Sequence, residues 1–341
     1  MPSAVLGNEF TASGHETGKS RGSGTGTAWR TQERVNKVVA LLLCTYDGER
    51  FLQDQLESFA RQTYPHWLVA VSDDGSNDAT LKILDGYRAK WGSERISVQK
   101  GPGQGFVANF LSLACDESIN ADYYAFADQD DVWEDDKLAR ALAWLNSVSL
   151  AIPAVYCSRT RLVDIENKEV GLSPLFERAP SFRNALVQSL AGGNTMVFNA
   201  AARALLLETN VRSGVVSHDW WVYLVVTGCG GAVYYDPYPA VRYRQHEQNL
   251  VGSNMHWNAR LDRMRWLLRG RLRTWSGQHI EGLGRIRNKF PKKNQTVLDS
   301  FIDARHATLG RRIIGFAKCK IYRQTFLGNL GLLIAVLLKK I

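Results

Sequence analysis

Cysteine is scarce in this chain: five residues in 341, odd in number, scattered, and never spaced C-x-x-C. That excludes a disulfide-stapled mini-protein, argues against a zinc site, and points to a reducing compartment. Proline is low as well, at 9 residues, and the 29 glycines follow no triplet period, so the composition is neither collagen-like nor mainly disordered. Long apolar runs are missing. The closest is Phe326–Leu338, 13 residues interrupted by Asn329, against the roughly 20 needed to span a bilayer. The N-terminus has no apolar stretch behind a basic flank, so no signal peptide and no export are expected. No internal repeat is visible.

What is present is a globular composition, 45% hydrophobic and 22% charged, enough to bury one large core or two ordinary ones. The net charge of +9 is unevenly placed. Residues 256–341 hold 19 Lys and Arg against 4 Asp and Glu, a net +15, which leaves −6 for residues 1–255. Three regions follow. Residues 1–34 are rich in Gly, Ser and Thr and read as a disordered leader; the glycines at 22, 24 and 26 lack the flanking strand and helix that a dinucleotide fingerprint requires. Residues 35–255 carry the patterned, acidic body. Residues 256–341 form a basic helical region, suited to an anionic surface.

From Val38 onward, short apolar runs alternate with helical periodicity. Strands are predicted at 38–44, 67–72, 96–99 and 123–127, and helices at 50–62, 79–90 and 106–115. Beyond Asp136 a helix at 137–146, a strand near 154–158, a strand and helix over 195–208, a helix at 218–226 and two extended pieces at 232–235 and 240–243 complete the reading. Strands and helices in units of about 30 residues specify an α/β fold with a mostly parallel, Rossmann-like sheet flanked by helices. Ligands of such sheets bind beyond the carboxyl ends of the strands. Three of the four strands end in polar or acidic clusters: Thr45-Tyr46-Asp47, Asp73-Asp74 and Asp128-Gln129-Asp130-Asp131. If these strands are neighbours, the clusters share one rim.

Carboxylates held together raise one another's pKa unless a cation joins them. Asp128 and Asp130 supply hard oxygen ligands that suit Mg²⁺ or Mn²⁺ with positions left for phosphate oxygens. A solvated acidic turn opening the next helix is the alternative, and is the preferred reading for Asp135 and Asp136.

The stretches Thr45-Tyr46-Asp47-Gly48, Ser72-Asp73-Asp74-Gly75-Ser76 and Asp128-Gln129-Asp130-Asp131-Val132-Trp133, in this order and spacing, resemble the inverting family 2 glycosyltransferases. The resemblance covers about residues 36–255 and implies a GT-A fold that binds a nucleoside-diphosphate sugar. Asp128 to Trp133, together with the run from Tyr243 to Ser253, is similar to a bacterial rhamnosyltransferase-like branch. Matched residue by residue, Thr45 and Tyr46 fall on the loop cradling the donor's base, and Asp74 on the carboxylate that accepts from the base N–H. Asp128 and Asp130 fall on the D-x-D motif, Asp130 as direct metal ligand and Asp128 toward ribose and metal waters. Asp219 falls on the general base that deprotonates the acceptor hydroxyl. The alternative for Asp219 is an ordinary N-cap. Many relatives have Glu where this chain has His218. His246 matches a position near diphosphate and metal, and Arg244 is placed to pair with phosphate or a carboxylate. Gly192-Gly193-Asn194 matches the acceptor-side loop. The donor implied is dTDP-L-rhamnose, with another UDP- or dTDP-sugar as the alternative. A nucleotidyltransferase is disfavoured because the loop after the first strand is acidic and glycine-poor; a non-catalytic sugar or membrane module remains the third reading.

In the basic region Leu261, Met264, Leu268, Leu272 and Trp275 form one helical stripe, with arginines largely elsewhere. This is the pattern of a helix lying in a membrane interface; a helix packed on the catalytic domain is the alternative. Residues 326–338, followed by Lys339 and Lys340, could dip further. Family and tail together imply a lipid-linked saccharide acceptor in cell-surface polysaccharide (lipopolysaccharide-type) synthesis. The expected place of action is the cytoplasmic face of a bacterial membrane, with peripheral attachment to its anionic surface and no nucleic-acid partner.

Overall fold

The computed structural model describes residues 36–211, 214–246 and 270–341. The apolar run after Val38 forms β1 (Val39–Thr45), buried along its whole length. A strand with no polar face must sit inside a sheet covered on both sides. It pairs in parallel with β2 (Trp67–Asp73) and β4 (Tyr123–Asp128), and β2 pairs in parallel with β3 (Ile96–Lys100). The remaining strands are β5 (Val132–Trp133), β6 (Ala154–Val163), β7 (Glu169–Leu172), β8 (Val197–Asn199) and β9 (Ala232–Arg244). The sheet order is β3-β2-β1-β4-β8-β6-β9-β5, with β7 on β6. Strand β8 is antiparallel to both β4 and β6, while β6 and β9 run parallel.

Alternation along β1 sends Val39, Leu41 and Leu43 into one core and Ala40, Leu42 and Cys44 into another. Helices α1 (Leu52–Ala60), α2 (Thr80–Trp91) and α4 (Lys137–Leu145) cover the first face. The second is covered by α3 (Phe106–Ala114), α5 (Phe182–Ala185), α6 (Ala200–Thr209) and α7 (His218–Gly228). The last helices are α8 (Arg271–Gly284), α9 (Lys292–His306), α10 (Leu309–Cys319) and α11 (Phe326–Leu337). No core boundary falls between them and the sheet: Leu283, Phe290, Leu298 and Phe301 belong to the same buried cluster as Trp220 and Trp221. Asn294 Nδ2 donates to the carbonyls of Thr227 and Gly228 at the end of α7.

Two departures from expectation have physical causes. The extended pieces at 232–235 and 240–243 are one strand, β9, whose pairing with β6 slips between Ser158↔Asp236 and Arg159↔Pro239. The slip leaves Pro237 and Tyr238 out of the ladder, which is where a strand tolerates proline. The stripe expected at 260–275 lies mostly outside the described residues, as do Leu261, Met264 and Leu268. Its described end, Leu272 in α8, is buried in the core, and Trp275 stands edge-on to Trp220 at 6.0 Å. The leader at 1–34 and residues 247–253 of the second branch motif also lie outside the described residues.

Candidate active site

The three acidic strand ends meet because β2, β1 and β4 are adjacent and in step: Thr45 pairs with Asp73 across the ladder, and Cys44 with Asp128. At the first cluster two neighbouring aspartates do different work. Asp73 is buried and accepts from the Thr45 hydroxyl (2.7 Å) and from the backbone N–H groups of Gly75 (3.1 Å) and Ser76 (2.9 Å). It ties the β1 and β2 loops together. The Asp74 carboxylate instead reaches across the rim, accepting from Gly103 N–H at 2.6 Å and Gly105 N–H at 3.0 Å. Both glycines have positive φ, 66° and 85°, a conformation that costs glycine little. Thr45 is thus buried beneath the loop, while Tyr46 stands 57% exposed above it. Tyr46 is held by Gln129: its N–H donates to Gln129 Oε1 and its carbonyl accepts from Nε2, both at 2.9 Å.

At the second cluster the chain turns back sharply after β4. Gln55, fully buried in α1, donates to the Asp128 carbonyl (2.9 Å). Burial pushes the Asp128 carboxyl up to about 8, and the charges of Asp130 and then Asp219 add to the rise. The Asp130 carboxylate lies 2.8 Å from His246 Nε2. Asp131 is buried, raised well above the usual carboxylate range by burial and by Asp130 and Asp128, and accepts from Asn194 Nδ2 at 2.5 Å. Lys137 is buried beneath them, its ammonium 3.1 Å from the Trp133 ring centroid, with no hydrogen-bond partner among the described residues.

Of the two partners expected for Arg244, phosphate or carboxylate, the described residues supply a carboxylate, Asp54. Its guanidinium is 2% exposed; it donates to the carbonyls of Asp130 (3.0 Å) and Ile165 (2.9 Å) and to Asp54 (2.8 Å), and it stacks 4.5 Å from Phe51. Arg244 therefore braces the Asp130 turn from below.

Asp219 sits in the first turn of α7 and is not its N-cap; Ser217 is. The Ser217 hydroxyl and the Trp220 N–H (2.6 Å) both donate to Asp219 Oδ1, and Oδ2 takes neither contact. Its charge contributes to the upward shift of the Asp128 carboxyl, after burial and Asp130. Next to it, His218 is buried, stacked 4.0 Å from Phe110 and edge-on to Phe126 at 4.7 Å. Burial pulls its pKa down to about 4, so the ring is neutral near pH 7. A Cβ on Gly193 would collide with His218 Nε2. The Gly192-Gly193-Asn194 loop thus lies directly on this imidazole and reaches Asp131 through Asn194.

The sequence marks Gln129 and Asn194 only as members of their motifs, and shows neither their partners nor the parts taken by Gln55 and Lys137. Gln55, Gln129 and Asn194 each act through a partner at least 63 residues away, and Lys137 is marked only by its place four residues after Trp133. A polar recess of 490 Å³ at the β5 edge, lined by Arg61, Glu134, Asp135, Tyr238 and Arg242, contains none of the expected site residues. Among the described residues no group of three or more His, Cys, Asp or Glu gathers as a ready-made metal cage.

With this geometry in place, similarity to known proteins is informative. Residues 41–206 match the family described as Glycosyl transferase family 2. The chain is 29% identical over 289 residues to the dTDP-rhamnosyl transferase RfbG of Shigella flexneri, covering 80% of this chain and 90% of that protein. In fold it is similar to S. aureus TarS solved with UDP-GlcNAc (TM-score 0.50, 16% identity, 83% of this chain and 90% of that one). It is similar also to the mannosyltransferase PcManGT of Pyrobaculum calidifontis solved with GDP-Man and Mn²⁺ (TM-score 0.52, 16% identity, 82% and 73%). Strand order, convergent carboxylates and family match agree: the chain carries a family 2 glycosyltransferase domain on a GT-A scaffold and is a glycosyltransferase.

Proposed function

We propose that the protein transfers L-rhamnose from dTDP-L-rhamnose, with inversion, to a hydroxyl of a lipid-linked saccharide in cell-surface polysaccharide synthesis. The observation that supports this reading is the adjacency of β2, β1 and β4, which brings Thr45, Asp73-Asp74 and Asp128 to one rim of the sheet. The name of the Shigella relative supports the donor sugar. Tyr46 offers an exposed ring to a base, and Asp74 an acceptor for a pyrimidine N–H once the Gly103 and Gly105 amides share or release it. Asp219, with Oδ2 clear of its two local donors, takes the proton from the attacking hydroxyl.

The donor set fits a hard divalent cation, Mg²⁺ or Mn²⁺: Asp130 and His246 already meet at 2.8 Å, and Asp128 stands beside them. Two or three protein ligands leave room for phosphate oxygens. Such a cation, when bound, stabilises charge on the departing diphosphate. The second reading keeps the fold and the base-reading loop but takes another UDP- or dTDP-sugar, since none of the named donor-side residues is assigned to the sugar.

The test is mass spectrometry of a lipid-linked acceptor incubated with a panel of nucleotide sugars, with donor binding followed by calorimetry with and without Mn²⁺. Asp219→Asn is expected to lower turnover by about 10²–10⁴-fold, the usual contribution of a general base, while donor affinity is kept. Full activity in Asp219→Asn overturns the mechanism, and transfer of a hexose other than rhamnose alone overturns the donor assignment.

A further inference from the structure

The outer faces of α10 and α11 are apolar where a water-facing helix should be polar. In α11, Leu332, Ala335 and Val336 are buried against the body. The opposite side presents Phe326 (83% exposed), Leu327 (66%), Leu330, Leu333 and Leu337. Residues 326, 330, 333 and 337 recur at the four-three-four spacing of a single helical stripe. Leu309, Ile313 and Ile314 of α10 are exposed as well. An exposed apolar stripe along one helix face, such as that of α11, marks an interaction site.

The element is built, not a loose end. The Thr325 hydroxyl accepts from Gly328 N–H (3.1 Å), and Asn329, the polar side chain of the helix, turns back to the carbonyls of Arg323 (2.7 Å) and Thr325 (2.8 Å). Buried Arg312 of α10 donates to the carbonyls of Val336 (3.3 Å) and Ala307 (2.8 Å), tying the two helices together. The exposed stripe is therefore held in place by capping and packing that leave its apolar side chains outward.

Charge selects the occupant. Residues 304–341 contain eight Lys and Arg and no Asp or Glu. Arg311, Lys318, Lys320 and Lys339 of this stretch are exposed among the apolar side chains. Twelve residues of helix span about 18 Å, too short to cross a bilayer, and no described helix is long and apolar enough to do so. An apolar stripe with cationic residues of one sign around it is the composition of a helix lying in the headgroup region of an anionic leaflet.

We propose that α10 and α11 form a docking surface for an anionic lipid bilayer. This deepens the proposed lipid-linked acceptor, and it assigns the contact to these two helices and not to α8, whose Leu272 and Leu283 are buried and whose Trp275 and Ile280 pack against the core.

Co-sedimentation of the full chain with phosphatidylglycerol-containing and pure phosphatidylcholine vesicles tests it. The wild type is expected to bind the anionic vesicles preferentially and to be released by salt. Leu330→Glu combined with Leu333→Glu is expected to lower partitioning at least about tenfold, since each buried leucine contributes enough for that factor, with an unchanged melting temperature. Should that variant misfold, Lys318→Glu with Lys339→Glu, both at exposed positions, is expected to weaken binding to anionic vesicles alone. Equal partitioning of these variants and the wild type, or no vesicle binding by the wild type, overturns the proposal. So does a wild-type dimer that Leu330→Glu with Leu333→Glu converts to monomer without any lipid binding, which makes the face a self-association surface. Donor binding by calorimetry is read separately: its loss sinks the transferase reading and leaves the docking result standing.

Discussion

Asp73 and Asp74 are adjacent in the chain and divided in the structure, the first sealed into a four-donor knot and the second turned to the rim. The family pattern alone singled out Asp74 as the expected base-facing residue; that Asp73 is instead occupied within the loop depends on partners up to 28 residues away. Histidine shows the same limit. His218 and His279 are both buried, and neither ring has a hydrogen-bond partner among the described residues; burial holds each pKa at about 4 against an ordinary 6.5. The unfolded chain therefore takes up protons first as pH falls. The stability these neutral rings support is fully present above about pH 6.5 and is lost progressively down to about pH 4, by roughly 1.4 kcal/mol per pH unit for each ring. Urea unfolding between pH 7 and 4.5 is expected to show that decline, with a shallower slope in His279→Leu, which keeps the packing against Trp220 at 4.6 Å. An unchanged slope contradicts the assignment.

At the scale of the element, the acceptor-side loop and α7 are fitted to each other at Gly193. The His218 ring beneath it cannot retreat, because Phe110 stacks on it and Phe126 closes its edge. Gly193→Ala is expected to destabilise the fold by about 1–3 kcal/mol, the usual range for overpacking. His218→Ala is expected to recover part of that loss, giving a non-zero coupling in a double-mutant cycle read by denaturant midpoints. Additive losses would mean the two do not touch. The elements themselves were largely legible: β1 to β4 and the helices between them follow from apolar runs and helical periodicity, with ends displaced by one or two residues. Strand β9 was not, because Pro237 and Pro239 mimic a break, and only the register slip against β6 shows how the strand passes over them.

For the whole molecule, the basic region is both a charged surface and a structural wall. Its charge is plain in the sequence; its load on the core is not. Phe290 meets Phe182 edge-on at 5.3 Å, and Trp275 and His279 both pack on Trp220, the residue after Asp219. A chain ending near residue 256 is expected to lose the cover of α7 and to be recovered unfolded or aggregated, as judged by near-ultraviolet circular dichroism and gel filtration. A native monomeric fragment that binds donor would show that the helices are accessory. For the same reason membrane contact is better probed by point changes on α10 and α11 than by truncation.

The order of apolar runs and acidic strand ends determined the α/β class and the strand ends that carry Thr45, Asp74 and Asp130, because strand and helix periodicity follow from local pattern; that those strands are neighbours came from the sheet order. Only the tertiary structure decided that Asp73 is scaffold, that Arg244 finds the Asp54 carboxylate and braces the Asp130 turn, and that one face of α11 stands outward while Leu272 and Leu283 of α8 lie in the core. Those outcomes depend on partners tens to hundreds of residues away. A side chain's chemistry is written in its identity, but its availability is set by whichever distant groups satisfy it first.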